Sequence, residues 1–171
     1  MKKPVIFSVL FFIITAISSF AQGVWIEEKV DPETGLRTGI FSLDGKNFEI
    51  KPNADLREFG IGLFDLQKVN LKGADLRGAF LRGCNLSGAN FEGANMENID
   101  LINATLKGAI LRDANLRGGR ITADYEGADL QNANLEGIYA FDSNFKNANL
   151  KGVNLEASSL LGSNFNGSDL R

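Results

Sequence analysis

The sequence contains no histidine and one cysteine, Cys84, among 171 residues. The lack of histidine removes the commonest general base and the commonest metal ligand. A single cysteine cannot form an internal disulfide, even in the oxidising compartment that an exported protein meets. Charge of one sign is scarce too: 18 Lys and Arg against 21 Asp and Glu leave a formal net charge of −3, too mild for a strong nucleic-acid binder or a polyanion. No Gly-rich phosphate loop opens a helix, and no Cys/His metal spacing occurs. Ser158, Ser159, Ser163 and Ser168 follow or flank a repeat position, and without histidine a serine nucleophile needs another base that no nearby motif supplies. The chain therefore reads as non-enzymatic. No catalytic, cofactor-binding or metal residues are expected, and no nucleic-acid partner.

Long apolar runs are lacking beyond the first residues. Lys2 and Lys3 precede an apolar run from Val5 to Ile17, followed by Ser19-Phe20-Ala21, a small-x-small cleavage pattern. The run falls short of the roughly 20 apolar residues of a membrane span. Residues 1–21 thus read as a signal peptide cleaved near Ala21. The mature chain would be periplasmic or extracellular and would meet the membrane only during export. No cysteine follows the run, so a lipid anchor is not expected. Loss of Lys2 and Lys3 would move the net charge from −3 to −5.

What the sequence has in abundance is a period of five. In LKGADLRGAFLRGCNLSGANFEGAN (71–95) a large residue recurs at Leu71, Leu76, Leu81, Leu86 and Phe91. Such centres run in step from Leu56 to Ile121 and again from Tyr125 to Leu170, giving 24 quintets over residues 54–171. Of these centres 16 are Leu. The residue two before is small in 18, the residue one before is Asn or Asp in 17, and the residue two after is Gly in 12. A helix turns 500° in five residues, so the centres would smear around its axis. A plain strand has period two and fails as well. A short strand plus a corner fits: the small residue and the centre share a parity and point inward, Asn or Asp points outward, and Gly permits positive φ at the corner. Cys84 falls at an inward small position and reads as a buried stand-in for alanine.

ADLRG (74–78), ANFEG (89–93), ANLEG (133–137) and ANLKG (148–152) resemble the pentapeptide-repeat family. The resemblance covers 118 of the 171 residues and implies an all-β fold, a right-handed quadrilateral β-helix with four quintets per coil. By that count the chain forms about six coils, and at ~4.8 Å per coil a rod roughly 29 Å long. The step from Ile121 to Tyr125 is four, so one residue is missing near 122–124, where one side of a coil should distort.

Residues 22–53 precede the solenoid. VWIEEKV (24–30), DPETG (31–35) and LRTGIFSL (36–43) read as strand, turn, strand, and Asp44-Gly45 turns into KNFEI (46–50). About 27 residues cannot hold a core alone. They read as a short β cap over the first coil, packed through Trp25, Phe41 and Phe48. The repeat runs to Asp169-Leu170, and an uncovered coil edge invites pairing, so an end-to-end homodimer through the C-terminal coil is expected.

Assigning quintets to four faces in turn isolates an irregular one. Seven quintets lack Asn or Asp before the centre, and five of them fall on the second face. That face gathers Phe80, Arg82, Ile102, Arg120, Tyr139, Phe141 and Leu161, a candidate surface for an unknown protein partner. The bland alternative is that these side chains rotate inward or lie under the N-terminal segment. The family resemblance implies one further reading, since some pentapeptide-repeat proteins mimic DNA and bind DNA gyrase. Mixed charges after the centres and the export signal both weigh against it. Three Asn-x-Ser/Thr matches, at Asn85, Asn103 and Asn166, are accidents expected of an Asn-rich repeat.

Overall fold

A computed structural model describes residues 23–57, 59–60 and 62–171. The leader assigned to residues 1–21, and the second-face centre Ile61, lie outside the described residues. Three strands come first: β1 (Gly23–Val30), β2 (Arg37–Leu43) and β3 (Lys46–Ile50). They form one antiparallel sheet in the order β1-β2-β3. Asp44 and Gly45 both have positive φ, 49° and 77°, as a two-residue hairpin turn requires. Asp31 Oδ1 accepts hydrogen bonds from the Glu33 and Thr34 amides and from the Thr34 hydroxyl, fixing the longer turn between β1 and β2.

From residue 54 the chain becomes a four-sided β-helix. Parallel bridges join residues 20 apart, as in the first-face column Asp55, Asp75, Asn95, Asn115, with the spacing falling to 19 across the missing residue. Each column holds six rows, so the chain makes six coils, as the quintet count predicts. The centres line the interior. Leu76, Leu101 and Leu150 are buried, as are Ala74, Ala79 and Cys84 at the small positions. Burial pushes the Cys84 thiol above its usual range. A thiol so placed behaves as a small apolar side chain.

The quintet composition follows from where its five amides go. In the quintet of Leu76, the Asp75 amide donates to the preceding coil at Ala54 O. The Leu76 and Gly78 amides donate to the following coil at Asn95 O and Glu97 O. The Ala74 amide closes its own corner on Leu71 O. The fifth amide, on Arg77, has only the side chain of Asp75 as acceptor, at 3.3 Å. That repeated duty explains Asn and Asp before the centre, because a short side-chain oxygen there meets an amide two residues on. Among the described residues, the one two after the centre has left-handed φ throughout the regular coils. Gly takes most of these places, Asn and Asp most of the rest, and Leu63, Lys68 and Ala157 are held there despite their Cβ.

The missing residue is this left-handed corner, lost between Thr122 and Ala123. In most other quintets the corner amide reaches the previous centre's carbonyl directly, and at Ser143 the Ser163 hydroxyl carries the link to Ala140 O. At the missing corner the Ser143 hydroxyl bridges the two, accepting from the Ala123 amide at 3.3 Å and donating to Ile121 O at 3.2 Å. The bridges continue through the break, with Arg120 paired to Tyr139 and Thr105 to Asp124. Aromatic centres fill the third face beyond it: Tyr125, Phe145 and Phe165 stack at 4.9 and 5.1 Å. The Tyr125 hydroxyl is fully buried without a hydrogen-bond partner, and burial raises its pKa well above the usual phenol range.

The cap closes the N-terminal end of the core as the sequence predicts. Phe41, Leu43, Phe48 and Ile50 are buried and Trp25 packs beside them. Phe41 meets Trp25, Phe59 and Phe64 edge to face. The sheet is also bonded to the solenoid. Arg37 donates its amide to Lys68 O and accepts from the Asn70 amide, so β2 begins as an extra row on the fourth face. In the C-terminal coil, Val153, Leu155, Leu160 and Phe165 are only partly buried and Leu170 is exposed.

Candidate protein-binding face

The second-face column runs Gly60, Phe80, Asp100, Arg120, Tyr139, Ser159, each bridged to the next. The column position points outward, and large apolar side chains placed there stand in solvent. Phe80 is 59 % exposed and Tyr139 54 %. Phe141 and Leu161, one residue beyond their centres, are 42 % and 79 % exposed. Ile102 is half-buried on the same face. Neither an inward rotation nor a covering by the described N-terminal strands occurs.

Asp100 departs from the expected solvated position. Its side chain is only 5 % exposed, held between two arginines. Arg82 Nε donates to Asp100 Oδ2 at 2.8 Å, and an Arg120 terminal nitrogen lies 3.3 Å from the same oxygen. The other oxygen, Oδ1, accepts from the Ile102 amide. Burial pushes this carboxyl up, but the Arg82 guanidinium and the Ile102 amide outweigh it and hold the group below its ordinary range. One carboxylate thus serves two guanidiniums, and the middle of the face keeps a surplus positive charge. Sequence reasoning gave the two arginines and missed Asp100, whose position before the centre is filled by Asn or Asp in 17 of the 24 quintets.

A notch lies on this face beside the missing corner residue. Ile102, Arg120, Thr122, Tyr139 and Phe141 line a cavity of about 280 Å³ there. The Tyr139 and Phe141 rings stand 6.5 Å apart with their planes tilted by 43°. A larger cleft, about 770 Å³, lies between β3 and the first coil. Its Lys51 pairs with Glu49, its Arg57 with Asp55, and its Lys46 stands over the Phe48 ring. Among the described residues no group of His, Cys, Asp and Glu is arranged to hold a metal ion, and no helix is long and apolar enough to cross a membrane.

The family model for pentapeptide repeats matches eight copies, over residues 65–101, 81–118, 123–156 and 141–171. The chain belongs to the pentapeptide-repeat family. Its fold is that family's right-handed quadrilateral β-helix, here with a short β cap. The chain is similar to the crystal structure of a pentapeptide-repeat protein, Rfr23, from the cyanobacterium Cyanothece 51142, at 26 % identity and a TM-score of 0.50, covering 69 % of this chain and 89 % of that one. HetL, a pentapeptide-repeat protein involved in heterocyst differentiation regulation in the cyanobacterium Nostoc, matches at 20 % identity and TM-score 0.28, covering 70 % and 86 %. Full-length QnrB1, a plasmid-mediated fluoroquinolone resistance protein, matches at 18 % identity and TM-score 0.41, covering 68 % and 77 %. No curated protein sequence matches the chain.

Proposed function

We propose that the chain is an exported, non-enzymatic rod whose second face binds a protein partner. The observation that carries this reading is the cluster of Phe80, Tyr139, Phe141 and Leu161 in solvent on one face, around arginines fixed by a buried carboxylate. Exposed aromatics and arginine are the side chains that most often anchor protein interfaces. The backbone beneath them is bridged row by row, so they are presented on a rigid support that loses little entropy on binding. Surface and stiffness are what a solenoid supplies, and the irregular face supplies the specificity.

The test compares the wild-type chain with a Phe80→Ser, Tyr139→Ser double variant. Both are fractionated from cells and cross-linked to whatever they contact. The variant should keep the β-rich circular dichroism spectrum and melting temperature of the wild type and lose its cross-linked partner. Unchanged cross-linking would remove the face from consideration. Recovery of the wild-type chain in the cytoplasm together with gyrase would replace this reading with the DNA-mimicking one.

A further inference from the structure

We propose, resting on the reading of the second face as a protein-binding surface, that its occupant is an extended segment of a partner protein in which an acidic residue is flanked, two residues away on each side, by large apolar ones. Three features of the face select this chemistry.

The first is charge. Arg82 and Arg120 share the single carboxylate of Asp100, and both of its oxygens are already engaged. The Arg120 side chain is more than half exposed, so its guanidinium has donors left for a second carboxylate. Asp142, the other acid of this face, occupies the corner column, with its Oδ1 beside Gly162.

The second is size. The notch holds about 280 Å³, room for one large apolar side chain and too little for an ordinary small-molecule ligand. Its walls are Ile102 and the two rings of Tyr139 and Phe141, and Arg120 stands at its edge.

The third is spacing. Phe80 and Tyr139 are separated by three bridged steps along the column, about 14 Å at ~4.8 Å each. Four residues of extended chain span ~13 Å, and residues at alternate positions point the same way. A strand laid along the rod therefore sets one apolar side chain on Phe80, an acid near Arg120, and a second apolar side chain in the notch.

The probe is a blocked peptide with the core Ile-Thr-Asp-Thr-Phe, titrated into the full chain and followed by the NMR resonances of the Tyr139 and Phe141 rings. Two control peptides carry Ala or Lys in place of Asp. The acidic peptide should saturate, with the Ala and Lys controls at least tenfold weaker. Arg120→Gln should erase the preference for the acid. A chain with one Gly inserted between Thr122 and Ala123, restoring the corner, should lose at least tenfold in affinity while keeping its melting temperature. If either variant fails to fold, Tyr139→Ser serves in its place and should show the same loss. Equal binding of all three peptides, or none at millimolar concentration, overturns the proposal. So does concentration-dependent dimerisation abolished by Tyr139→Ser, which would assign the face to a second copy. If a partner cross-links through Phe80 and Tyr139 while every peptide fails, this inference falls and the general reading of the face stands.

Discussion

The first and second faces of the rod share a backbone and differ in what they show to water. Each is a six-row parallel column with the same bridging pattern, and each buries its described centres in every coil but the last, Met96 and Leu101 among them. On the first face the outward column is Asp55, Asp75, Asn95, Asn115, Asn134, Asn154, every one a short side-chain acceptor. On the second it is Gly60, Phe80, Asp100, Arg120, Tyr139, Ser159, and only Asp100 makes the usual bond to the amide two residues on. The intercoil bonds come from amides that do not depend on that side chain. A face can thus give up the Asn/Asp pattern and remain bridged to its neighbours, and what it gains is freedom to display aromatics.

The comparison can be broken first in the core. Leu101→Ala on the second face and Met96→Ala on the first should each lower stability by about 2–5 kcal/mol, because both side chains are fully buried. Denaturant unfolding measures this, and a much smaller loss at Leu101 would mean that the second face is loosely built. Ser143→Ala should cost about 1–3 kcal/mol by leaving the Ala123 amide and the Ile121 carbonyl unpaired in the interior. Inserting one Gly between Thr122 and Ala123 should make that substitution nearly neutral, since the corner could then bond directly.

Asp100 gives the second face a pH dependence of its own, set by a buried carboxylate. Its folded pKa lies below the unfolded carboxylate value of about 3.9, so its contribution is present above that value and is lost as pH falls through the folded one. Asp100→Asn should lower the melting temperature at pH 7 and shrink the further drop between pH 4 and pH 2. An identical acid response in the variant would show that the carboxylate contributes nothing. The smallest effects belong to the outward column. Asn95→Ala removes an acceptor for the Glu97 amide and for Asn115 Nδ2, and should cost about 0.5–1.5 kcal/mol. Phe80→Asn restores the common pattern and should fall within about 0.5 kcal/mol of wild type. A larger loss at Phe80 than at Asn95, read from paired melting curves, would reverse the assignment of structural and recognition roles.

The repeat was legible because each position is sampled many times. Inward, outward and corner roles can be read from composition alone, and the buried Leu76, Cys84 and Leu150 stand where parity puts them. The cap strands were legible from Asp44-Gly45 and the flanking alternation. Placing Phe80 and Tyr139 on one side required only counting by fours. The failures share a cause: each depends on a neighbour a coil away. Ser143 looks like any small residue until its hydroxyl is set beside a corner 20 residues earlier. Asp100 looks like any outward acid until Arg82 and Arg120 close over it from the rows on either side. The bond from Arg37 to Lys68 joins the cap to the repeat across 31 residues with no signature in either segment.

That bond gives the rod a direction of growth. A solenoid gains stability unit by unit, and its first unit is the hardest to form because nothing waits to receive it. By offering an amide and a carbonyl to the chain around Val69, Arg37 supplies a ready-made edge on which the opening turn of the spiral can settle. Each later turn finds the same kind of template in the one just laid down. The chain emerges in that order, so the rod is arranged to wind itself up from its closed end.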